Sequence, residues 1–473
     1  MGARGARPIC ALLLASALGC QHVAPAPLAP ADSAGAFAAR RLSDPGLRDF
    51  VAANPRDPSR PWPPPRWGLD DLTLAGLYFH PGLRVARAGA RVADARLLAA
   101  SEWRNPSVSV LPQRVANAPA GTSAGLAGIQ VDWAIETAGK RGFRRAAARA
   151  RADAAWLAVR SEAWRLRGAL AEAFIRSRFA DERVDVARNI ARRQEELARL
   201  LDARVRVGAV DRNTAALQRL AWIAAQSDVA RFEREALGER ARVAAALAIP
   251  ARSLAAAEWK PLPDLDGPDL GELETADGRR AALLGRADLL ALLAEYAAAE
   301  AELRFELARQ VPDLRLGPAY EFDQGASKWG LTLSLDLPLL NQNQGAIAEA
   351  IARRDEVAAR FEALQDRVIS EVDAALAALR GARREAEVAR RLVAAARERG
   401  GRVRRAFLAG AADRLALLQA GLEVGRSVAA RIDAEEQVRL AAAQLELAVQ
   451  PPRPFIQAVV EWPEWQIREA RTP

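Results

Sequence analysis

The sequence GAVDR (Gly208–Arg212) occurs a second time, with one change, as GAADR (Gly410–Arg414). The two copies begin 202 residues apart (208 to 410), and Gly128 and Gly330 have the same spacing. Each copy follows a long tract without proline and precedes a shorter tract that is rich in Ala, Leu, Arg and Glu. Agreement of both landmarks in order and spacing indicates an internal duplication of the chain.

The tracts on either side of these two segments have the composition of long helices. The tracts 139–208 and 343–410 would each reach roughly 105 Å at 1.5 Å per residue, and each return tract roughly 60 Å. Small and apolar residues recur at coiled-coil spacing, as at Ala434, Val438 and Ala441. A helical hairpin of this length cannot bury its apolar seam alone, so we expect it to pack on neighbouring helices. A pair of glycines, Gly400-Gly401, predicts a bend in one tract.

Four short segments lie before the long tracts and read as β-strands: Ser107–Val110, Gly128–Ile135, Asp313–Phe322 and Gly330–Leu337. Apolar and polar residues alternate along them with period two. This alternation is typical of a membrane barrel with a water-filled lumen. It is equally typical of a half-buried hairpin in a soluble protein, and periodicity alone favours the soluble hairpin. Four strands cannot close a barrel wide enough to conduct, so a barrel would require several chains.

The residue inventory excludes most enzyme chemistry. The chain has 473 residues with 68 Lys+Arg, 59 Asp+Glu, two cysteines (Cys10 and Cys20) and two histidines (His22 and His80). These residues do not assemble into a disulfide framework, a zinc site or a Ser-His-Asp triad, so we expect no enzyme, no cofactor and no metal centre. The arginines are spread beside glutamates and are not clustered with stacking aromatics, which argues against a nucleic-acid partner.

The N-terminus has the features of a targeting signal. Two arginines precede the apolar run 8–18, which is too short to span a bilayer and is typical of a secretory signal peptide. The run ends in Ala17-Leu18-Gly19-Cys20, which resembles a bacterial lipoprotein box, although Ala17 and Leu18 depart from the usual pattern. The resemblance implies that Cys20 carries lipid, including palmitate. The alternative is a plain signal peptide cut near Gly19, with Cys20 incidental.

Taken in order, these landmarks resemble the TolC-like outer-membrane efflux protein family over about residues 68–450. The features that match are a helix ending in Asn105-Pro106, a Gly-led strand closing in Glu136–Arg141, the strand-to-helix junction Leu337–Gly345, and the two turns. The Gly-Lys-Arg sequence at residues 139–141 is most similar to the heavy-metal branch of that family.

The resemblance implies a mainly α-helical protein with membrane β-structure. Three copies would form one twelve-stranded outer-membrane barrel, continued by a long periplasmic coiled-coil barrel. The implied function is passive transport of substrates to the exterior, with a periplasmic adaptor protein and a proton-driven inner-membrane pump as partners. The implied location is the outer membrane of a Gram-negative bacterium, with lipid contact and a lipid anchor. The alternative from another class is a periplasmic coiled-coil adaptor or scaffold without a barrel.

We therefore divide the chain into six segments. They are a signal peptide (1–19), a lipidated Ala/Pro-rich leader (20–67), a first repeat of helix, β-hairpin and long helical hairpin (68–252), a linker (253–277), a second repeat (278–450) and a C-terminal tail (451–473).

The candidate functional residues lie at the two turns. The predicted adaptor-docking tips are Val207, Gly208, Ala209, Ala409, Gly410 and Ala411, although small residues there also simply permit a tight turn. Asp211 and Asp413 are candidate tunnel-entrance acids or, alternatively, helix N-caps. The acidic ring of some family members would align with Ala416 and Gln419, which are not acidic, so that gate is not transferred.

Two further sets have competing interpretations. Lys140, Arg141, Arg144 and Arg145 would either meet lipid phosphates or form a solvated basic helix start, which is unfavourable with the helix dipole unless anions are near. His80 has no evident partner in the sequence, and we expect it to be structural.

Overall fold

The computed structural model describes residues 23–53, 61–114, 116–117, 121, 125–262, 275–323, 325–453 and 456. The chain divides into two compact units, Met1–Arg40 and Arg41–Pro473. In the first unit, the described part contains helix α1 (Pro30–Ala39), which buries no side chain. The predicted signal peptide and Cys20 lie outside the described residues.

The second unit contains the two repeats. Its first half consists of α2 (Pro45–Ala53), α3 (Leu69–Phe79), α4 (Pro81–Ser101), β1 (Ser107–Arg114), β2 (Gly125–Ile135), α5 (Lys140–Arg206), α6 (Arg212–Leu247) and a 3₁₀ turn (Ala251–Leu254). Its second half consists of α7 (Ala276–Gly285), α8 (Ala287–Ala308), β3 (Leu314–Asp323), β4 (Ala326–Leu335), α9 (Gln344–Leu408) and α10 (Arg414–Val449). The order of helix, hairpin, long helix and return helix is the same in both halves.

The long helices match the lengths that the sequence predicts. α5 has 67 residues and α9 has 65, about 100 Å each at 1.5 Å per residue. The return helices α6 and α10 have 36 residues each, and both their first and their last residues are 202 positions apart. The predicted bend at Gly400-Gly401 does not interrupt α9, which continues as one helix to Leu408. No helix among the described residues is both long and apolar enough to cross a membrane.

The four strands form one antiparallel sheet in the order β1-β2-β3-β4. β1 pairs with β2 and β3 with β4, as hairpins within each repeat, and β2 pairs with β3 between the repeats. β1 and β4 are therefore the edges of the sheet. β1 continues four residues beyond the predicted Val110 because an edge strand tolerates Pro112.

The largest apolar core lies where α3, α4, α5 and α6 meet the connecting segments. Trp67 and Trp259 form a parallel bridge, and the Trp259 ring meets Phe174 edge-on at 5.5 Å. Leu47 and Phe50 of α2 are also buried in this core. The described part of the segment predicted as an Ala/Pro-rich leader (20–67) therefore contains the helices α1 and α2. α2 is anchored because its apolar side chains are three residues apart and share one face.

Candidate functional site: the amphipathic sheet and the helical turns

The register of the sheet places most of the large apolar side chains of the four strands on one face, with Leu111 and Leu126 on the other. Val110 lies opposite Ile129, Ile129 opposite Tyr320, and Tyr320 opposite Trp329, which gives one apolar row across the whole sheet. A second row runs from Trp133 through Leu316 to Leu333. The alternation seen separately in each strand therefore becomes one continuous surface, because cross-strand partners share a face.

The opposite face is polar. Glu321 lies opposite Lys328, and Lys328 donates to Asp323 at 2.6 Å. Ser109 lies opposite Gln130 on the same face. The sheet thus has an apolar side and a polar side.

Exposure is greatest at the edges of the sheet. Every residue of β1 and β4 is exposed, including Trp329 at 83%. Exposed leucines continue along β4 and beyond it at Leu331, Leu333, Leu337 and Leu339. A soluble monomer rarely leaves such a patch and two unpaired strand edges open to water.

A network of polar contacts fixes the sheet to the start of α5. Lys140 is 5% exposed; its Nζ donates to the Val311 carbonyl at 2.6 Å and to the Asp313 carboxylate. Thr137 donates its hydroxyl to the Pro312 carbonyl at 2.7 Å and its N–H to Asp313 at 3.1 Å. The end of β2 and the start of β3 are thereby joined to one helix.

The neighbouring arginines bind the end of α4. Arg141 Nε donates to the Ser101 carbonyl at 3.0 Å, and Arg144 Nε donates to the Ala100 carbonyl at 3.1 Å. Arg144 also pairs with the buried carboxylate of Glu136. Cations at a helix C-terminus complement its dipole and satisfy its last carbonyls.

These contacts correct both sequence-based interpretations of the basic cluster. Lys140, Arg141 and Arg144 bond protein carbonyls and carboxylates. These side chains are therefore not available to lipid phosphates, and they do not form a solvated start of the helix. The anions that offset the helix dipole are Asp313 and Glu136. Asp313 is 173 residues from Lys140 in the sequence, and Glu136 has no distinctive local sequence. Arg145 alone of the four is exposed.

The corresponding junction of the second repeat uses amides. Asn343 is the N-cap of α9 at φ +63°, a left-handed conformation that Asn tolerates. Its side-chain amide donates to the Glu306 carbonyl at 2.8 Å, and Gln310 donates to the Gln342 carbonyl at 3.0 Å. The segment from Leu337 to Gly345, which carried part of the family resemblance, is therefore held against the end of α8.

The two turns have the same backbone geometry. Gly208 and Gly410 lie at φ +73° and +72°, where a Cβ would be strained. Val207, Ala209, Ala409 and Ala411 surround them and are all exposed. Backbone hydrogen bonds close each turn, from Ala209 to Arg204 and from Ala411 to Ala406. The six predicted tip residues thus form two small, exposed turns that are free of large side chains except at Val207.

Both candidate acids cap helices. Asp211 accepts from the Thr214 N–H at 2.9 Å and from the Thr214 hydroxyl at 2.5 Å, and these bonds lower the pKa of Asp211. Asp413 accepts from the Ala416 N–H at 2.9 Å and from Arg204 at 2.8 Å, and these two bonds, the first the stronger, lower the pKa of Asp413. The Arg204–Asp413 pair joins the end of α5 to the start of α10, so it links the two repeats at the turns.

His80 also caps a helix. Its Nδ1 accepts from the Gly82 N–H at 3.1 Å at the start of α4. Among the described residues, no group of His, Cys, Asp and Glu is arranged to hold a metal ion.

Comparison with known proteins gives the family of the second repeat. Residues 279–449 match the family model described as outer membrane efflux protein. Residues 279–449 belong to the outer membrane efflux protein family. The predicted TolC-like resemblance is confirmed. The leaning toward the heavy-metal branch stays a prediction. No curated protein sequence matches the chain.

Solved structures resemble this chain over 80–92% of its length. The outer-membrane channel OprN is 19% identical, with 92% of this chain and 99% of that one covered at a TM-score of 0.67. The outer membrane protein VceC of Vibrio cholerae is 16% identical (80% and 95% covered, TM-score 0.66), and the CmeC outer membrane channel of Campylobacter jejuni is 15% identical (83% and 89% covered, TM-score 0.67). At these identities the likeness establishes the fold, and it extends over both repeats.

The chain also contains a set of buried arginines that the sequence did not reveal. Arg167 of α5 bonds Asp70 at 2.8 Å and Glu446 at 2.9 Å, and so joins α3, α5 and α10. Arg286 bonds Asp288 at 2.7 Å and Glu371 at 2.8 Å between α8 and α9. With arginine distributed along every long helix, no local pattern distinguishes these two from exposed ones.

Proposed function

We propose that this protein is the outer-membrane channel component of a tripartite efflux system. It passively conducts substrates from an inner-membrane pump and a periplasmic adaptor to the exterior. The observation that carries the proposal is the four-stranded sheet, whose apolar face spans all four strands and whose two edges are open. In a membrane, such a sheet must be closed so that no strand edge remains unpaired.

The number of strands favours three copies. Two copies would give eight strands, a barrel whose interior side chains fill, whereas three give twelve and a water-filled interior. The directions of the edge strands support the same closure. In an antiparallel sheet of four strands β1 and β4 run in opposite directions, so β4 of one copy meets β1 of the next as an antiparallel pair.

The opposite ends of the long helices suit the remaining partners. The turns at Gly208 and Gly410 lie about 100 Å of helix away from the sheet. We assign adaptor docking to these small exposed turns, and the proton-driven pump to the far side of the adaptor. Asp211 and Asp413 would lie at the tunnel entrance, where their capped carboxylates are negative at neutral pH.

Location and substrate follow from the same proposal. The barrel would lie in the outer membrane of a Gram-negative bacterium with the helices in the periplasm, and Cys20 would carry the lipid anchor. Cys20→Ala should then abolish labelling by a fatty-acid precursor, and persistent labelling would place the lipid elsewhere.

The resemblance of Gly139-Lys140-Arg141 to the heavy-metal branch favours metal ions as the substrate class.

A pair of variants on neighbouring residues tests the barrel. Leu333 lies on the apolar face of β4 and Thr332 on the polar face, and both are exposed in the single chain. Leu333→Asp places a carboxylate against lipid, and a charged side chain on the lipid face of a barrel is destabilising, most of all near the bilayer midplane. We expect Leu333→Asp to lose outer-membrane trimer and Thr332→Asp to retain it, measured by membrane fractionation and native mass in detergent.

Two results would contradict the barrel proposal. If both variants and the wild type are recovered as soluble periplasmic monomers, the barrel is wrong and the coiled-coil scaffold without a membrane barrel takes its place. Equal tolerance of both substitutions within a membrane-bound trimer would mean that the apolar face does not meet lipid.

A further inference from the structure

Positive charge is concentrated at the two turns. Within eleven residues of Gly208 or Gly410 the chain has ten arginines and three aspartates, and it has no lysine, histidine or glutamate there. These two stretches, 197–219 and 399–421, therefore carry a net charge of +7, whereas the whole chain carries +9. The turns are the ends that the proposed function assigns to adaptor docking, so the docking surface is strongly basic.

Six of the ten arginines are paired with a carboxylate. The pairs are Arg199 with Glu195, Arg204 with Asp413, Arg219 with Asp202, Arg399 with Glu423, Arg402 with Glu398 and Arg414 with Glu196. Across the described part of the chain, no carboxylate lies within ion-pair distance of the other four. These four, the turn arginines, are all exposed, and they are Arg206, Arg212, Arg404 and Arg405.

The helix dipole accounts for only part of this set. Cations in the last turn of a helix complement its dipole, and Arg206 and Arg405 lie in the last turns of α5 and α9. Arg212 is instead the first residue of α6, where a cation is unfavourable with the dipole. Helix stability therefore does not explain why so many arginines are gathered at the turns.

The turn arginines belong to one surface. Each lies within six residues of a turn glycine, which is at most about 9 Å of helix. The ion pair of Arg204 with Asp413 at 2.8 Å holds the end of α5 against the start of α10, so the two turns lie side by side. Large apolar side chains are exposed beside the charges, since Val207 is 78% and Leu408 is 75% exposed. Arginine next to exposed apolar side chains is typical of a surface that binds another protein.

Further copies of this chain do not neutralise the surface. Each copy brings the same excess of arginine, and the proposed trimer gathers the turns of all copies at one end. The aspartates are already engaged, because Asp202 and Asp413 are paired with arginine and Asp211 caps α6 through Thr214. Like charges gathered at one end repel one another. The anions that offset this repulsion therefore come from a different molecule.

The residues around the turns favour a protein as that molecule. Surfaces that bind single-stranded nucleic acid combine basic residues with aromatic side chains that stack on bases, and membrane-surface helices combine them with a continuous apolar face. Phe407 is the only aromatic residue in the two stretches, and it is half-buried. A guanidinium binds a carboxylate through two parallel hydrogen bonds, so acidic side chains are well suited to this surface.

We propose that the turn arginines bind acidic side chains of the adaptor, so that the docking surface of the adaptor carries an excess of Asp and Glu. The inference rests on the proposed function and gives the chemistry of the partner surface, which that function leaves open. Arg404 and Arg405 supply two adjacent cations at the second turn, and Arg206 and Arg212 supply two at the first. Docking then offsets a charge at the tunnel mouth that would repel metal cations.

The test compares two charge reversals on one helix. At 0.1 M salt, Arg404→Glu with Arg405→Glu should weaken binding of the purified adaptor of the same efflux system to the trimer in detergent by about tenfold or more. Arg390→Glu with Arg391→Glu is the matched control, because both arginines are exposed on α9 and lie 14 residues, about 21 Å, away. The control should change the affinity by less than about threefold, since the Debye length at 0.1 M salt is about 10 Å.

The dependence on salt separates charge from shape. Raising the salt concentration should weaken adaptor binding by the wild type, because screening reduces the attraction between arginine and carboxylate. In Arg404→Glu with Arg405→Glu the same charges repel, so added salt should leave the binding unchanged or strengthen it. The same loss of affinity with salt in both proteins would contradict an acidic partner surface.

The remaining outcomes distinguish this inference from the proposed function. Unchanged adaptor affinity in Arg404→Glu with Arg405→Glu, in a protein that is trimeric by native mass, would overturn the inference and leave the channel function standing. If this variant loses binding to phosphatidylglycerol vesicles and keeps its adaptor affinity, the arginines bind a membrane surface and the inference is wrong. A wild-type protein that forms no trimer would contradict the proposed function itself.

Discussion

Arginine is the residue that joins separate helices in this protein. Arg167, Arg183 and Arg286 each reach carboxylates on other helices, and Arg141 and Arg144 reach the last carbonyls of α4. The planar guanidinium presents several donors at once, so one side chain can satisfy acceptors from two elements. Helices whose seams are largely alanine gain fixed positions from these contacts in addition to their apolar packing.

Removing a buried arginine should therefore cost much more than removing an exposed one. Arg167→Met removes the buried guanidinium that joins Asp70 to Glu446 and leaves Glu446 with Arg453 alone, so we expect a loss of about 3 kcal/mol in stability. Arg199→Met is the control, since Arg199 is 76% exposed and pairs only one turn away with Glu195, a pair worth about 0.5 kcal/mol. Thermal unfolding in detergent would measure both, and equal losses would contradict a structural role for Arg167.

The cap at Asp413 gives a pH-dependent prediction. Its pKa is lowered in the folded protein by the Ala416 N–H and by Arg204. The ionised form therefore stabilises the fold at pH values above the unfolded-state pKa of about 4, and this contribution disappears as the pH falls through the lowered folded-state pKa. We expect Asp413→Asn to unfold at a lower temperature than the wild type at pH 7. The difference should shrink below about pH 4 as the wild-type carboxyl protonates. A difference that is constant with pH would mean that the charge of Asp413 is not involved.

At the scale of elements, the sequence predicted those features that repeat or alternate. The 202-residue spacing located the turns, and period two located all four strands and their apolar faces. β1 was predicted too short because Leu111 and Pro112 break the alternation, although Pro is acceptable on an edge strand. The helix α2 was missed even though its signal was present, since Pro45 suits a first helical turn and Leu47 and Phe50 share a face.

The junction between sheet and helices could not be predicted in this way. Lys140 and Asp313 are 173 residues apart, and neither has a distinctive local sequence. The arginines that bind the end of α4 look like any others in a chain with 68 basic residues. Only the fold brings the end of β2, the start of β3 and the end of α4 to one place.

The turns carry a prediction about docking. Ala411 is exposed beside Gly410 and has no left-handed backbone, so Ala411→Trp adds bulk without the strain that any side chain at Gly410 would bring. We expect Ala411→Trp and Ala209→Trp to weaken adaptor crosslinking and export-dependent resistance. Trimer yield should stay unchanged, because the sheet lies about 100 Å of helix away.

Gly410→Asn is the control for this experiment, since Asn tolerates the positive φ and adds little bulk. Normal crosslinking and resistance in both tryptophan variants would show that the turns are not the docking surface. Loss of the trimer in those variants would assign the turns a structural role instead.

At the scale of the whole molecule, one chain leaves surfaces open that the proposed assembly closes. The sheet has two open edges and an exposed apolar face. In the proposed trimer the two edges pair with neighbouring copies, and the apolar face lies against lipid. β4 meets β1 of the next copy, so three copies close one barrel.

The most direct test of this account is an electron cryo-microscopy map of the protein extracted from outer membranes in detergent. We predict three copies around one axis, a closed sheet of twelve antiparallel strands in which β4 pairs with β1 of the neighbouring copy, and a continuous passage from the sheet to the turns. A monomer or dimer whose sheet edges remain open, or a trimer in which the apolar face packs against protein and not against the detergent belt, would contradict it.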